Sequence, residues 1–405
     1  MKILVQKFGG TSVATPERRE MVIQKILKAR EKGYKCVVVV SAMGRKGDTY
    51  ATDTLINLVK AQNSYVSLRE LDLLMSCGEV ISSAVMACSL INKGVKAAAL
   101  TGAQAGIITD DTFGNAEVLR VEPFRILEYL EEDYIPVVAG FQGVTEKGDI
   151  TTLSRGGSDF TASILGEALG AEAIEIYTDV DGIMTADPRI VQDARIIDKI
   201  NYNEVFQMAE QGAKVIHPRA VEVAMRANIP LIIKNTMSDH PGTIIGNYNE
   251  LVYSSAEGGR LITAIAHVTD RAQFQIELGS EDDRLENEIF DQLSKNHISI
   301  DLINVFPGKL VFTVDENKSQ QLEQLLNRYS LRYNVYHNCG IVSVIGQRMR
   351  GVPGVMARVV KALSRENIRI LQTSDSHSTI SCLIKNDDIK KAVIALHNEF
   401  NLSER

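Results

Sequence analysis

Cysteine is scarce in this chain and never spaced for chemistry. The five, at 36, 77, 88, 339 and 382, are odd in number and form no CxxC pair, so neither a disulfide framework nor a zinc site is indicated. Basic excess is lacking as well. Lys and Arg number 44 against 51 Asp and Glu, a formal charge of -7, which removes any general electrostatic reason to bind nucleic acid or anionic lipid. An anionic ligand must therefore be held locally. The start, MKILVQKFGG, reaches Gly-Gly after a few apolar residues and carries no small-residue cleavage site, so it does not read as a signal peptide. No run approaches the ~18 apolar residues that span a bilayer. These absences predict a soluble, cytoplasmic, unprocessed protein with no nucleic-acid or membrane partner. The best-known phosphate loops are missing too: there is no GxxxxGK[ST], no GxGxxG, and no HRD or DFG.

What is present is an ordinary globular composition, 45% apolar and 23% charged. At about 150 residues per domain, 405 residues predict two or three domains. Apolar, β-branched runs at 2–6 and 36–40 flank a helical stretch from about Pro16 to Lys32 that ends at Gly33, a β-α-β unit. Similar runs at 96–100, 135–141, 173–178 and 229–235, each after a helical segment, predict an α/β fold. Its sheet should be mainly parallel and covered on both faces, with ligands at the carboxyl ends of the strands. After about Gly246 the pattern changes, and polar Tyr248 to Gly259 reads as a linker. Beyond it two stretches read as βαββα repeats of the ferredoxin-like kind, the first from 271 to 329 and the second from 341 to 400. The first can finish with a fourth strand near 332–336, but the second stops too early for one. The spare strand at 261–267 is expected to complete it, which would interlock the repeats.

Two segments carry candidate chemistry. In Lys7-Phe8-Gly9-Gly10-Thr11-Ser12-Val13 an apolar strand runs into a cation, two glycines and two hydroxyls before a helix. Backbone amides there can approach an anion, a helix start favours negative charge, and Lys7 adds a positive one, which suits a polyphosphate. The plain alternative is a tight turn with a solvated lysine. At 153–163, LSRGGSDFTAS repeats the combination with Arg155 and Asp159, where Asp159 could equally be a helix cap. Asp179-Val180-Asp181-Gly182 is not an EF-hand loop, because its twelfth position is Ile190.

KFGGTSV, SAMG at 41–44, SCGE at 76–79, FQG at 141–143, TLSRGGSDFTA, YTDVDGIMTADPR at 177–189 and GAKVIHPRA at 212–220 occur in one order. Together they resemble the aspartokinases of the amino-acid kinase superfamily, and the two repeats resemble ACT domains. The resemblance implies a three-layer sandwich kinase domain over 1–247, a linker at 248–260, a first ACT domain at 261–337 and a second at 338–405. It implies transfer of the γ-phosphoryl of MgATP to the β-carboxylate of L-aspartate, with no general base, since the acceptor is already ionised at pH 7. By the family pattern Lys7, Asp159 and Lys214 are catalytic, with Asp159 holding the lysines. Lys7, Gly9, Gly10, Thr11, Thr178, Asp179, Met184, Arg189 and Lys214 bind ATP, and Ser41, Thr52, Glu79, Arg155 and Ser158 bind aspartate. Ser154 stands where the family more often has glycine. His217 is expected to brace the helix carrying Lys214, and no residue is expected to hold a metal of its own. Asp301, Val352, Gly354, Ser374 and Asp375 fall where family members contact an effector, expected to be lysine or diaminopimelate ahead of threonine. A homodimer through the ACT domains is implied. The competing readings are a sister kinase of the superfamily and a catalytically inactive amino-acid sensor.

Overall fold

A computed structural model describes residues 1–61, 65–153, 156–213, 216–248, 261–278, 283–329, 331–347, 349 and 352–404, without the side chains of 283 and 284. The chain forms two compact units. The first comprises Met1–Ile183, Ile196–Phe206 and Lys214–Asn249, and the second Met184–Arg195, Gln207–Ala213 and Glu250–Arg405. Met184–Arg195 and Gln207–Ala213 thus pack with the second unit although they lie well before residue 247.

The first unit is built on an eight-stranded sheet. In spatial order its strands are Lys199–Asn201, Thr243–Gly246, Leu231–Asn235, Ala173–Thr178, Ile3–Phe8, Lys35–Val40, Ile135–Ala139 and Ala97–Leu100. Pairing is parallel except between Leu231–Asn235 and Thr243–Gly246. Val37 to Val40 have no exposed surface, as expected of a strand covered on both faces. Helices Pro16–Glu31 and Leu68–Ile91 cover one face through Val22, Ile23, Ile26, Met86 and Leu90. Phe124–Glu131 and Gly157–Leu169 also pack on the sheet, and Pro218–Ala227 packs on Gly157–Leu169. Pro16–Glu31 begins where Thr15 Oγ1 accepts the Arg18 N–H at 3.3 Å and ends before Gly33, whose φ is +85°. A small four-stranded sheet, Val118–Val121, Ile107–Thr109, Gln142–Thr145 and Ile150–Thr152 in order, has no counterpart in the sequence reading.

One expectation needs correcting. By length and composition, helix Leu68–Ile91 is apolar enough to cross a membrane. The run is hidden in the sequence by Ser, Cys and Gly residues that are small rather than polar in effect. The helix packs on Ala97–Leu100 and Ile135–Ala139 and buries Asp72 and Glu79, which makes it a core helix of this unit.

The second unit is built on one six-stranded sheet whose two central strands, Ala264–Glu277 and Arg332–Ile345, are long and run antiparallel to each other. Residues 271–277 pair with Lys309–Asp315, which pairs in turn with Asp301–Phe306. Residues 339–345 pair with Thr379–Lys385, which pairs with Gln372–Asp375. Residues 264–268 pair with 341–345, so each βαββ run is completed by a strand from the other half of the ribbon. The predicted breaks near 268–270 and 337–340 are bulged positions within continuous strands, with Asp270 and Asn338 at φ +60° and +54°. Asx residues tolerate that backbone and look like turn residues in the sequence.

Candidate active site

The carboxyl ends of Ile3–Phe8 and Lys35–Val40 are stitched together by backbone. Ser41 N–H donates to Phe8 O at 3.1 Å, Gly44 N–H to Gly10 O at 3.0 Å, and Gly9 N–H to Tyr177 O at 3.2 Å on the neighbouring strand. A Cβ on Gly10 would stand 2.4 Å from Ala42 O and 2.8 Å from Gly44 O, so glycine is required by space. The anticipated helix start is a single turn, Gly10–Val13, and the chain restarts at Pro16. A one-turn helix has little dipole, so the charge for an anion comes from Lys7 and the backbone amides.

Lys7 lies next to the end of its strand, and its Nζ is 2.7 Å from Asp159 Oδ1, with both side chains about one-eighth exposed at 12% and 13%. The contact is an ion pair whose angles fall outside hydrogen-bond geometry, since Oδ1 accepts no hydrogen bond among the described residues. Asp159 sits in the first turn of Gly157–Leu169, but the cap is Gly156, and among the described residues no side chain caps that helix. Its carboxylate serves Lys7 instead. Gly156 has φ +82°, and a Cβ there would meet the His217 ring at 2.3 Å.

Lys7, Gly156 and Asp159 line a cleft of about 350 Å³ with Gly10, Ser41, Thr52, Glu79, Phe141 and Ser158. A second hollow of about 420 Å³, bordered by Phe160, Arg219 and Arg226, contains none of the predicted site residues. Glu79 is 3% exposed, and one of its carboxylate oxygens accepts the Ala42 N–H at 3.1 Å. The other, Oε2, has no hydrogen-bond partner among the described residues. Burial pushes the Glu79 carboxyl up to about 8, against the opposing pull of the Ala42 N–H. The cleft therefore holds a cation at one wall and an unsatisfied carboxylate oxygen at another. That combination can receive a ligand carrying both phosphate and ammonium.

The family model for the amino acid kinase family matches residues 2–235, and one for the ACT domain matches residues 334–398. Aspartokinase 1 of Bacillus subtilis (strain 168) is 48% identical over 404 residues, covering 100% of both chains. The chain belongs to the aspartokinase family. Another aspartokinase, from Geobacillus stearothermophilus, is 41% identical over 413 residues, 100% of this chain and 98% of that one. The solved structure of E. coli aspartokinase III in complex with aspartate and ADP (R-state) aligns with a TM-score of 0.81 at 28% identity, over 98% of this chain and 99% of that chain. The same enzyme in complex with lysine and aspartate (T-state) gives a TM-score of 0.76 at 27% identity, over 99% and 100%.

In this aspartokinase, Lys7, Gly10, Ser41, Thr52, Glu79, Ser158 and Asp159 meet at one cleft. Gly9 and Thr11 belong to the same turn without lining it. Thr178 and Asp179 close the adjacent strand, where Thr178 Oγ1 donates to Asp179 Oδ1 at 3.2 Å. Met184 and Arg189 lie in the segment that packs with the second unit, and Arg189 is forked onto Asp187 at 2.7 Å. Arg155, Ser154 and Lys214 lie outside the described residues. His217 has a structural role, capping Pro218–Ala227 with its Nδ1 accepting the Arg219 N–H at 3.3 Å, while its expected link to Lys214 falls outside the described residues. Burial holds its imidazole below the ordinary value, with Asp159 pulling the other way and Arg219 reinforcing burial.

Asp72 was not anticipated. Fully buried two turns before Glu79, it accepts from Thr152 N–H at 2.8 Å, Thr152 Oγ1 at 2.6 Å and Gly114 N–H at 2.9 Å, tying the helix to the small sheet. The signal was available, since carboxylates at i and i+7 share one face of an otherwise apolar helix.

In the second unit Asp301 and Ser374-Asp375 lie on the two outer strands of the sheet. Asp301 and Asp315 both pair with Arg271 Nη1, at 3.2 and 2.6 Å. Val352 is exposed, and Gly354, with φ +94°, precedes helix Val355–Arg365. An amide chain bridges the outer strands: Gln372 Nε2 donates to Asn304 Oδ1 at 2.6 Å, and Gln273 Nε2 donates to Gln372 Oε1 at 2.7 Å.

Proposed function

We propose that the chain transfers the γ-phosphoryl of MgATP to the side-chain carboxylate of L-aspartate, giving 4-phospho-L-aspartate and ADP. The observation that carries this is the presence, in one cleft, of the Lys7 cation and of a Glu79 Oε2 with no hydrogen-bond partner among the described residues. Phosphate charge needs the first, and the ammonium of an amino-acid acceptor needs the second. A carboxylate oxygen attacks the γ-phosphorus, the bond to the β–γ bridging oxygen breaks, and ADP leaves with the electron pair. No proton moves, so catalysis is positioning and charge neutralisation.

Lys7 and Lys214 neutralise the transferring group, and Asp159 orients Lys7. Gly9, Gly10 and Thr11 supply the phosphate turn, while Thr178, Asp179, Met184 and Arg189 hold the rest of the nucleotide. Ser41, Thr52, Arg155 and Ser158 hold aspartate, with Glu79 on its ammonium. Mg²⁺ enters as part of the nucleotide, as suits an ion that keeps its waters and rides on substrate phosphates. The kinase unit is assigned to 1–247, the linker to 248–260, and the paired ACT repeats to 261–337 and 338–405.

Regulation by an end product, lysine or diaminopimelate ahead of threonine, is assigned to Asp301, Val352, Gly354, Ser374 and Asp375. The lysine bound by E. coli aspartokinase III supports that order. A homodimer through the ACT repeats is supported by outer strand Asp301–Phe306, whose Ile303, Val305 and Phe306 are about half exposed. The five free cysteines support a cytoplasmic location. A coupled ADP-release assay tests the activity: ADP should form with aspartate and not with glutamate or without acceptor. Equal release in all three would overturn the assignment.

A further inference from the structure

The cleft contains a cation to which the proposed reaction gives no task. Arg45, on the loop between Lys35–Val40 and Thr52–Lys60, lines the cleft with Lys7, Glu79 and Asp159. Its guanidinium is paired with Asp179 at 2.6 Å. We propose that Arg45 is a phosphate ligand held in reserve. It pairs with Asp179 and turns from it to the terminal phosphate when the nucleotide binds.

The two cation–carboxylate pairs of the cleft differ in what it takes to separate them. Lys7 and Asp159 are 12% and 13% exposed, so parting them strands two charges in a poorly solvated place. Arg45 and Asp179 are 68% and 57% exposed, so water and salt replace each partner almost without loss. A polyphosphate entering the cleft draws the Arg45 side chain across at little cost. The guanidinium fork matches two phosphate oxygens at once, which a lysine cannot do.

The loop is built to keep the backbone of Arg45 still while its side chain moves. Gly44 N–H donates to Gly10 O at 3.0 Å, so the loop hangs directly from the phosphate turn. Asp48 Oδ2 accepts the Arg45 N–H at 2.7 Å, and the Asp48 N–H donates to Arg45 O at 2.9 Å, which closes the turn on itself. Gly44 and Gly47, at φ +92° and +103°, supply the left-handed positions that this turn needs.

The proposal rests on reading the cleft as a nucleotide site, and it concerns the terminal phosphate alone. The test is therefore a comparison of ATP with ADP. Isothermal titration of the full chain, wild type against Arg45→Ala and Arg45→Lys, should show Arg45→Ala weakening ATP binding by about 10- to 100-fold, the range of a charge-assisted hydrogen bond. ADP affinity should change by less than about two-fold, and Arg45→Lys should recover part of the loss, as a point charge without the fork would. In steady state with aspartate, kcat should fall alongside the ATP affinity. Equal weakening of ATP and ADP, or no weakening of either, overturns the proposal. A wild type that binds ATP but does not phosphorylate aspartate would refute the proposed reaction, while the ATP-over-ADP comparison still decides Arg45.

Discussion

Both units place a glycine at the start of a helix near residues assigned to ligands, and the reasons are opposite. At Gly10 the backbone is ordinary and the space is gone, because the turn after the first strand lies against the turn after the second. At Gly354 no described residue lies within 4 Å of where a Cβ would be, and only φ, at +94°, asks for glycine. Charge follows the same division. Lys7 and Asp159 are nearly buried, whereas Asp301 is 46% exposed beside Arg271. The first unit thus closes a finished cleft out of one chain. The second offers outer strands and an exposed turn, surfaces suited to completion by an effector or a second copy.

The sharpest way to break this contrast is Lys7→Ala. With the phosphate cation gone, kcat should fall by about 10³-fold, as for loss of a main electrostatic stabiliser. The fold should survive, read as an unchanged circular dichroism spectrum. Turnover near wild type would remove the first-unit cleft from the mechanism.

Glu79→Gln comes next and has a pH signature. Burial raises the folded carboxyl from 4.5 to about 8, so the folded state holds a proton that the unfolded state releases. That contribution to stability is complete below about pH 4.5 and is lost as pH rises through about 8. Denaturant midpoints of wild type should therefore decline from pH 5 to 8 relative to Glu79→Gln, by an energy on the order of a few kcal/mol. The KM for aspartate should drop over the same rise, because the ionised form is the one that attracts an ammonium. In Glu79→Gln it should be roughly 100-fold higher, the loss of one buried charged contact. A KM that ignores pH in wild type would count against the ammonium role.

The glycine contrast has its own pair of variants. Gly10→Ala must move the Ala42 or Gly44 carbonyl and should cost about 1–3 kcal/mol, with activity lost. Gly354→Ala meets only backbone strain of about 1–2 kcal/mol and should leave uninhibited kcat alone. Thermal melts with parallel assays check both, and equal activity losses in the two variants would erase the distinction.

How much of this was legible beforehand depended on whether the signal was local. Strands such as Cys36 to Val40 announce themselves through β-branched residues, and the Lys7 and Asp159 segments stood out as glycine-rich turns. The small sheet did not, because strands of three or four residues such as Ile150–Thr152 are too short for a period to show. The long strands were split at Asp270 and Asn338, since a bulge and a turn use the same residues. The Lys7–Asp159 contact joins residues far apart in sequence, and only the family resemblance anticipated it. Nothing local marks Arg45, because its partner, Asp179, comes from another strand end.

The smallest expected effect sits where Arg189 separates the roles of stability and ligand. Its side chain is 87% exposed and forked onto Asp187, whose carboxyl the guanidinium holds below the ordinary value. Exposed pairs of this kind contribute about 0–1 kcal/mol, so Arg189→Ala should shift the melting temperature by no more than a degree or two. Any larger consequence must come from a ligand. If Arg189 contacts the nucleotide, the KM for ATP rises while stability stays put, and added salt narrows the gap between variant and wild type. If its whole task is to pin the turn at Asp187, stability and KM move together or not at all, and Arg189 leaves the nucleotide site.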